Sequence, residues 1–272
     1  MIDTSAPTLP AVGAPLAEIA AFGYHEVTDA PDQSGFVRPG ARPYKLTVSA
    51  FAQHLDAIAG GAPVSLVTDI DLTQPGRHVV LTFDDGGKSA VHAGDELMRR
   101  GWRGHFFIVT DRIGTRTFLS ADDIRYLREC GHGIGSHSHT HPNIFRELRR
   151  VDMLEQWTVS CDRLAQLLGE ACTTAAVPGG HISPLTLRTA GDAGLRHLFT
   201  CDPTVTPFRV GDCWILGRYL AKVTTTPEFM HRLARFQGWG RARFVRRFKD
   251  LARQSFAGLN RVYVDRRTRE RT

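Results

Sequence analysis

Several things are scarce in this 272-residue chain, and each shortage narrows what it can be. Cysteine is one of them. The five residues Cys130, Cys161, Cys172, Cys201 and Cys213 form no C-x-x-C pair and their number is odd. That argues against a disulfide framework or a cysteine zinc ribbon, and for reduced, mostly buried thiols. Long apolar runs are missing as well, none approaching the ~20 residues that cross a bilayer. The first residues, MIDTSAPTLPAVGAPLAEIAAFGYHEV, carry an acid where a secretory n-region needs lysine or arginine. The expectation is therefore an untargeted, cytoplasmic protein. There is no internal repeat and no low-complexity tract.

Nor does one sign of charge dominate the main body. Lys and Arg exceed Asp and Glu by 34 to 28 overall, but residues 229–272 hold 13 of the bases and only 3 of the acids. The preceding 228 residues are slightly acidic, so the basic character belongs to the C-terminal tail. At 42% hydrophobic and 23% charged, the chain has an ordinary globular composition and enough length for one large α/β domain or for two small ones.

What is present is an alternation. Short apolar runs at 19–27, 78–83, 104–109, 133–137, 173–178 and 195–200 predict strands, buried on both faces where the run is continuous. Between them lie amphipathic segments. Ser49 is expected to cap the helix AFAQHLDAIAG, and Ser120 with Asp123 to form a capping box for ADDIRYLRECG, which a glycine terminates. Residues 145–169 read as one long helix, and Pro184 falls in the first turn of another. Repeated strand–helix alternation predicts a parallel sheet, open or closed, with chemistry gathered at the C-terminal strand ends. The polar motifs DDGG, SHSHTH and PGGH each follow an apolar run, so all three are expected to open onto one mouth.

Two of these motifs have the composition of a metal site. Asp84 and Asp85 end the run VVLTF and point to opposite faces, so they can take different tasks. In HSHTH, His137, His139 and His141 alternate within five residues. Imidazole and carboxylate are the donors that zinc and its neighbours favour, and a catalytic site leaves one position for water. Spacing alone leaves all three histidine pairs open. Pro142 argues against a helix through the motif, so it is not the helical zinc-protease signature.

LTFDDGGKSA followed by GHGIGSHSHTHPNI resembles the polysaccharide deacetylases of carbohydrate esterase family 4, the NodB-homology domain, from about residue 20 to 220. That resemblance implies an α/β fold, a distorted (β/α)7 barrel. It implies an N-terminal extension over 1–18, the barrel over 19–225 and a basic helical segment over 226–272. It implies Asp85, His137 and His141 as ligands of one divalent metal, zinc first, with cobalt, nickel or iron as substitutes. Asp84 becomes the general base for a metal-activated water attacking an N-acetyl carbonyl, and His139 a bystander. The third motif of the family is altered here: AVPGGH places Ala176 where an arginine usually orients the base, and leaves the Gly179 backbone N–H as the oxyanion donor. The family's L-x-H histidine, the usual general acid, is missing from WILGRYLAKV. His25 in GYHEV is the first substitute and His181 the second. The family's capsule and biofilm branch is similar in its Tyr-His strand and P-x-G motif. For the family's later acidic motif, Asp202 is a weak match.

The implied function is a metal-dependent N-deacetylase acting on an N-acetylhexosamine glycan, or on a lipid-linked or nucleotide-linked amino-sugar precursor. A deformylase or other amide hydrolase on the same fold is the alternative, and a degenerate, non-catalytic carbohydrate-binding protein is the other. The basic tail carries Phe244, Phe248, Leu251 and Leu259 on one side. It reads either as a helix packing that stripe on the barrel, or as a peripheral contact with anionic inner-membrane lipid. Nucleic acid is not an expected partner, because the rest of the chain is net acidic and no RNA-binding motif interleaves the aromatics.

Overall fold

A computed structural model describes residues 17–180 and 182–255, with side chains through residue 248. Its central sheet contains β1 (Ala17–Tyr24), β4 (Gly76–Phe83), β5 (His105–Ile108), β6 (Gly133–Ser136), β7 (Thr174–Ala176), β8 (His197–Phe199), β9 (Phe208–Val210), β10 (Cys213–Leu216) and β11 (Tyr219–Leu220). The order is β11-β1-β4-β5-β6-β7-β8-β10-β9, and every pairing is parallel except β10 with β9. β2 (Glu26–Val27) and β3 (Lys45–Leu46) form a separate two-stranded ladder.

β10 and β11 are two halves of one stretch interrupted at Gly217 and Arg218. The first half pairs with β8 and the second with β1, so this stretch spans the gap between the two ends of the sheet. The curled parallel sheet is that of the distorted (β/α)7 barrel. A Cβ on Gly217 would strike the carbonyl oxygen of Asp202, which explains glycine at the break. This closing stretch was not among the expected strands, because its apolar run is split by Gly-Arg.

Strand alternation separates two cores. Ala20, Phe22 and Tyr24 of β1, with Leu81 and Phe83 of β4, face outward into the largest cluster. There they meet α1 (Val48–Ala59), α2 (Ala90–Arg99), α3 (Ala121–Glu129) and α6 (Pro227–Ala234). Ile19, Ala21, Val80, Phe107, Ala176, Phe199 and Leu216 face inward and fill the barrel. Counting on by twos along the strands brings His25, Asp84, His137 and Arg218 to that inner face, one above another at the strand ends. Each fully buried aromatic or aliphatic side chain in these clusters contributes about 1.5–3 kcal/mol.

Several local expectations are corrected. The run 19–27 is not one strand: β1 begins at Ala17 and ends at Tyr24, and His25 separates it from β2, which pairs with β3 instead. The cap of α1 is Thr47, not Ser49; Thr47 is extended and its hydroxyl accepts from the Ala50 N–H at 3.1 Å. The helix expected over 145–169 is broken. A 3-10 turn at Phe145–Glu147 is followed by extended Leu148 and Arg149, and α4 runs Arg150–Leu168. Phe145 turns inward to lie 4.6 Å from the Trp157 ring, centroid to centroid, and that packing outweighs continuous helix. Gly169, left-handed at φ 72, ends α4. The capping box at Ser120 and Asp123 forms, and Ser183 caps α5 (Pro184–Asp192) with Pro184 in its first turn.

The packing expected of the tail is corrected too. α7 (Trp239–Ser255) buries Trp239 and Ala242, and the Trp239 ring lies 6.0 Å from that of Phe22. Phe244 and Phe248 are instead 71% and 66% exposed, with Val245 beside them at 43%. The stripe read from the sequence begins one face away from the one that docks, because Trp239 supplies a larger anchor than either phenylalanine. Leu251 and Leu259 lie outside the described side chains. All five cysteines are unpaired, as expected.

Candidate metal and catalytic site

Asp84 and Asp85 follow the last residue of β4, where the Asp84 N–H still bonds the Tyr24 carbonyl at 2.8 Å. Asp85 then leaves the sheet with φ 77 and Gly86 follows at φ 79. A non-glycine residue there is strained by about 1–3 kcal/mol, and the turn reverses the direction in which the second carboxylate points. Gly87 is needed for another reason: a Cβ there would run into the buried Glu26 carboxylate, which accepts from Ser89 Oγ at 2.6 Å and from Ser34. On the neighbouring loop, Ser138 and His141 also have positive φ, at 65 and 55. The Ser138 hydroxyl accepts from the His141 N–H at 3.0 Å and holds that turn.

These two strained turns bring three side chains together. Asp85 Oδ1 lies 3.4 Å from His137 Nε2 and 3.5 Å from His141 Nε2. One donor atom from each of Asp85, His137 and His141 falls within 4.8 Å of the others. Of the three histidine pairs left open by spacing, the fold converges His137 with His141. His139 turns away, its Nδ1 lying 3.0 Å from Thr110 Oγ1. His132 is buried elsewhere, accepting from the Gly104 N–H at 3.2 Å.

The surroundings of the trio fit a cation. Asp85 Oδ1 is buried without a hydrogen-bond partner among the described residues. Burial, then the adjacent Asp84 charge, pushes the Asp85 carboxyl up to about 8, and the Arg38 and Lys45 charges offset this only in part. His137 Nδ1 lies 2.9 Å from the Ala176 carbonyl oxygen, an arrangement that puts the proton on Nδ1 and leaves Nε2 as a donor atom. Burial holds both His137 and His141 below the ordinary histidine range, in the neutral form a metal requires.

Asp84 has a different environment. Arg218 grips it with both arms of the guanidinium, Nη1 to Oδ1 at 2.7 Å and Nη2 to Oδ2 at 2.9 Å, and both residues are buried. The same Nη1 donates to Thr82 Oγ1 at 2.8 Å and Nε to the Thr200 carbonyl at 3.2 Å. Beneath it the rings of Phe107 and Phe199 each lie 5.8 Å from the guanidinium carbon. Burial alone would raise the Asp84 pKa; the Arg218 charge, with His137 and His25, overcomes this and holds the carboxyl well below the usual carboxylate range. Two adjacent carboxylates are thus driven apart, one firmly anionic and one awaiting a cation.

Arg218 is the residue that sequence reasoning missed. The position expected to carry an arginine holds Ala176, and the guanidinium comes from the break between β10 and β11. Arg38 was missed also. Its Nη2 lies 3.4 Å from His141 Nδ1, and its charge acts on Asp85 and His137. No motif marks Arg38 in the sequence.

His25 follows β1, directly beside the Asp84 strand end. Its ring is 4.7 Å from the Tyr44 ring, centroid to centroid, and burial lowers its pKa to about 4 against the opposing pull of Asp84. Its buried Nδ1 has no partner among the described residues. Gly179 stands exposed in the turn after β7 with φ 62. His181 lies outside the described residues. Asp202, the weak match to a later motif, pairs with Arg243 of α7 at 3.2 Å.

Residues 71–198 match the family model described as polysaccharide deacetylase. Over those residues the chain is similar to the polysaccharide deacetylase family. Solved structures similar in fold include a polysaccharide deacetylase from Bacillus cereus, at 17% identity, with 80% of this chain and 69% of that one covered and a TM-score of 0.68. IcaB from Ammonifex degensii is similar at 24% identity over 83% of this chain and 97% of its own, with a TM-score of 0.63. Among curated proteins, the peptidoglycan-N-acetylglucosamine deacetylase PgdA of Listeria monocytogenes is 30% identical over 83 residues. That stretch is 30% of this chain and only 17% of the Listeria protein, so the likeness covers a small part of that relative. The site lies largely inside the matched range: Asp84, Asp85, His137 and His141 fall within it, whereas His25 and Arg218 lie on either side.

Proposed function

We propose that the protein is a metal-dependent hydrolase that removes the N-acetyl group from an N-acetylhexosamine unit of a glycan or glycan precursor. The observation that carries this reading is the side-by-side placement of the Asp85–His137–His141 trio and an Arg218-clamped Asp84. A divalent ion held by the trio, zinc before cobalt, nickel or iron, would polarise an amide carbonyl and ease deprotonation of water. Asp84, kept anionic by Arg218, takes the proton from the attacking water. The Gly179 N–H donates to the oxyanion that forms as the carbonyl carbon becomes tetrahedral. His25, neutral in the resting protein and beside Asp84, would accept from Asp84 the proton taken from water and, as the imidazolium, give it to the leaving amine; His181 is the second candidate for that step.

One of the two features that favoured a non-catalytic reading loses its force, because an arginine does grip the base, from a different strand. The missing L-x-H histidine is the other. A formyl or cyclic amide substrate remains the rival within the same chemistry. No helix among the described residues is long and apolar enough to cross a membrane. The exposed Phe244, Val245 and Phe248, next to Arg243 and Arg247 on α7, support peripheral contact of a cytoplasmic protein with anionic lipid.

The test is acetate release from N-acetylglucosamine oligomers and precursors by metal-loaded protein, with formate release from formamido sugars in parallel. Acetate release that disappears in a folded Asp84→Asn variant supports the proposal. A protein that releases neither acid from any of these substrates contradicts it.

A further inference from the structure

β2 and β3 pair in parallel and so bring together the two ends of one long loop, residues 28–44. Connections of more than about 12–15 residues are uncommon in compact domains, and most are either functional or disordered. This one is moored from inside. The buried Glu26 carboxylate accepts from Ser34 Oγ of the loop and from Ser89 Oγ, and the Ser89 N–H donates to Ser34 Oγ at 2.7 Å. Lys45 Nζ donates to the Pro31 carbonyl and, at 2.5 Å, to that of Ser34. Gly35 turns with φ 62, and its N–H donates to the Thr117 carbonyl at 2.8 Å. A Cβ at that position would run into the Glu26 carboxylate, so only glycine lets the loop close on its anchor.

What the mooring delivers is Phe36. Its buried ring packs in a small cluster with Val109 and Phe118. The ring lies 5.0 Å from that of Phe118 and 5.1 Å from that of His141, centroid to centroid. The two histidines of the trio are thus oriented by different means. His137 has the Ala176 carbonyl on its Nδ1. His141 stands on a left-handed turn with its ring against two others, His137 at 5.2 Å and Phe36. A left-handed backbone persists at such a residue only where its surroundings over-determine it. A metal ligand, moreover, must be held within about 0.5 Å of its working position by side chains that are themselves locked by packing. We infer that Phe36 is a positioning residue for the metal centre: the moored loop packs its ring on the His141 imidazole and keeps Nε2 aimed at the point shared with Asp85 and His137. This rests on the metal reading of the trio, and not on which amide is hydrolysed.

The experiment is a double-mutant cycle on the full chain, stripped of metal with a chelator and titrated with cobalt, with visible absorption as the readout. Phe36→Ala is made in the wild type and in a His141→Gln background, and folding is checked by circular dichroism. In the wild type the substitution should weaken cobalt binding by about 10–100-fold, the usual cost of losing an outer partner of a ligand, and should shift the absorption band. In the His141→Gln background it should cost little more, because the residue through which it acts is already gone. Phe36→Leu, which refills most of the volume and keeps the fold if the alanine variant does not, should recover part of the affinity. Equal losses in both backgrounds would mean that Phe36 only holds up the fold, and would overturn the inference, as would an unchanged titration. A folded wild type that takes up no cobalt overturns both the trio and the role of Phe36. Cobalt binding that depends on Phe36 through His141, without acetate or formate release from any substrate, upholds the positioning role and removes the deacetylase reading alone.

Discussion

Arg218 and Asp84 form a two-armed ion pair inside the barrel, with oxygen–nitrogen distances of 2.7 and 2.9 Å and almost no exposure of either side chain. The pair joins the strand that bridges the sheet ends to the strand that carries the proposed base, so architecture and chemistry depend on one contact.

Removing either partner should therefore do two things at once. Arg218→Ala leaves a buried carboxylate without its counter-charge, which costs about 3–5 kcal/mol and is read from urea denaturation. Arg218→Lys restores charge but not the fork, and should recover stability only in part. Because Arg218 holds the Asp84 pKa below its unfolded value, this pair stabilises the fold above the unfolded carboxylate pKa and the benefit is lost as pH falls through the folded one. In the Lys variant the acidic limb of the pH–rate profile should move upward. An unchanged limb would separate Arg218 from the base.

The metal trio predicts a binding phenotype. Asp85→Asn, His137→Gln and His141→Gln should each weaken cobalt or zinc affinity by more than the roughly 10–100-fold seen when only an outer partner of a ligand is lost. Titration followed by visible absorption of cobalt provides the measurement. His139→Gln should leave the titration curve close to that of the wild type, because that ring faces Thr110.

His25 gives a prediction about rate rather than affinity. His25→Asn should lower kcat by about 10²–10⁴-fold, the usual worth of a positioned proton-transfer group, with metal affinity preserved. Retention of full kcat would transfer that role to another residue, with His181→Asn the next variant to assay.

A buried histidine away from the site should govern acid stability. His105 accepts from the Val67 N–H at 2.9 Å, and burial, with His197 and His132 nearby, lowers its pKa to about 3. The unfolded chain takes up a proton near pH 6.5 that the folded chain refuses. Stability from this group is thus complete above that pH and falls by at most about 1.4 kcal/mol per unit as pH drops toward 3. His105→Gln, which keeps an acceptor for Val67, should flatten the stability curve between pH 6.5 and 5.

The exposed face of α7 should be dispensable for folding. Phe244→Ser and Phe248→Ser are expected to change stability by no more than about 0.5 kcal/mol, since both rings face solvent. Co-sedimentation with vesicles of anionic lipid checks the membrane reading: binding to wild type that drops in the double variant supports it, and equal pelleting of both contradicts it.

Much of this protein follows from local pattern alone. Short apolar runs yield the parallel strands, and Ser120 and Pro184 mark the starts of their helices, because strand burial and helix initiation depend on neighbours within a few residues. The motifs TFDDG and HSHTHP carry enough information to nominate Asp84, Asp85, His137 and His141 once their resemblance to a known family is considered. Tertiary structure decided what lies far apart in the chain. Spacing could not choose among three histidine pairs; the left-handed turns at Asp85 and His141 did so by re-aiming two side chains toward each other from the ends of β4 and β6, with β5 between them. The arginine absent at Ala176 is replaced by Arg218, 134 residues beyond its partner Asp84, at a strand break whose split apolar run gives no periodic signal. Phe244 and Phe248, which the pattern offered either to the barrel or to lipid, are exposed, because which face of a helix docks depends on the surface it meets. A sequence lists the donors and the charges, and barrel closure determines which of them share a low-dielectric interior where a few ångströms decide their chemistry.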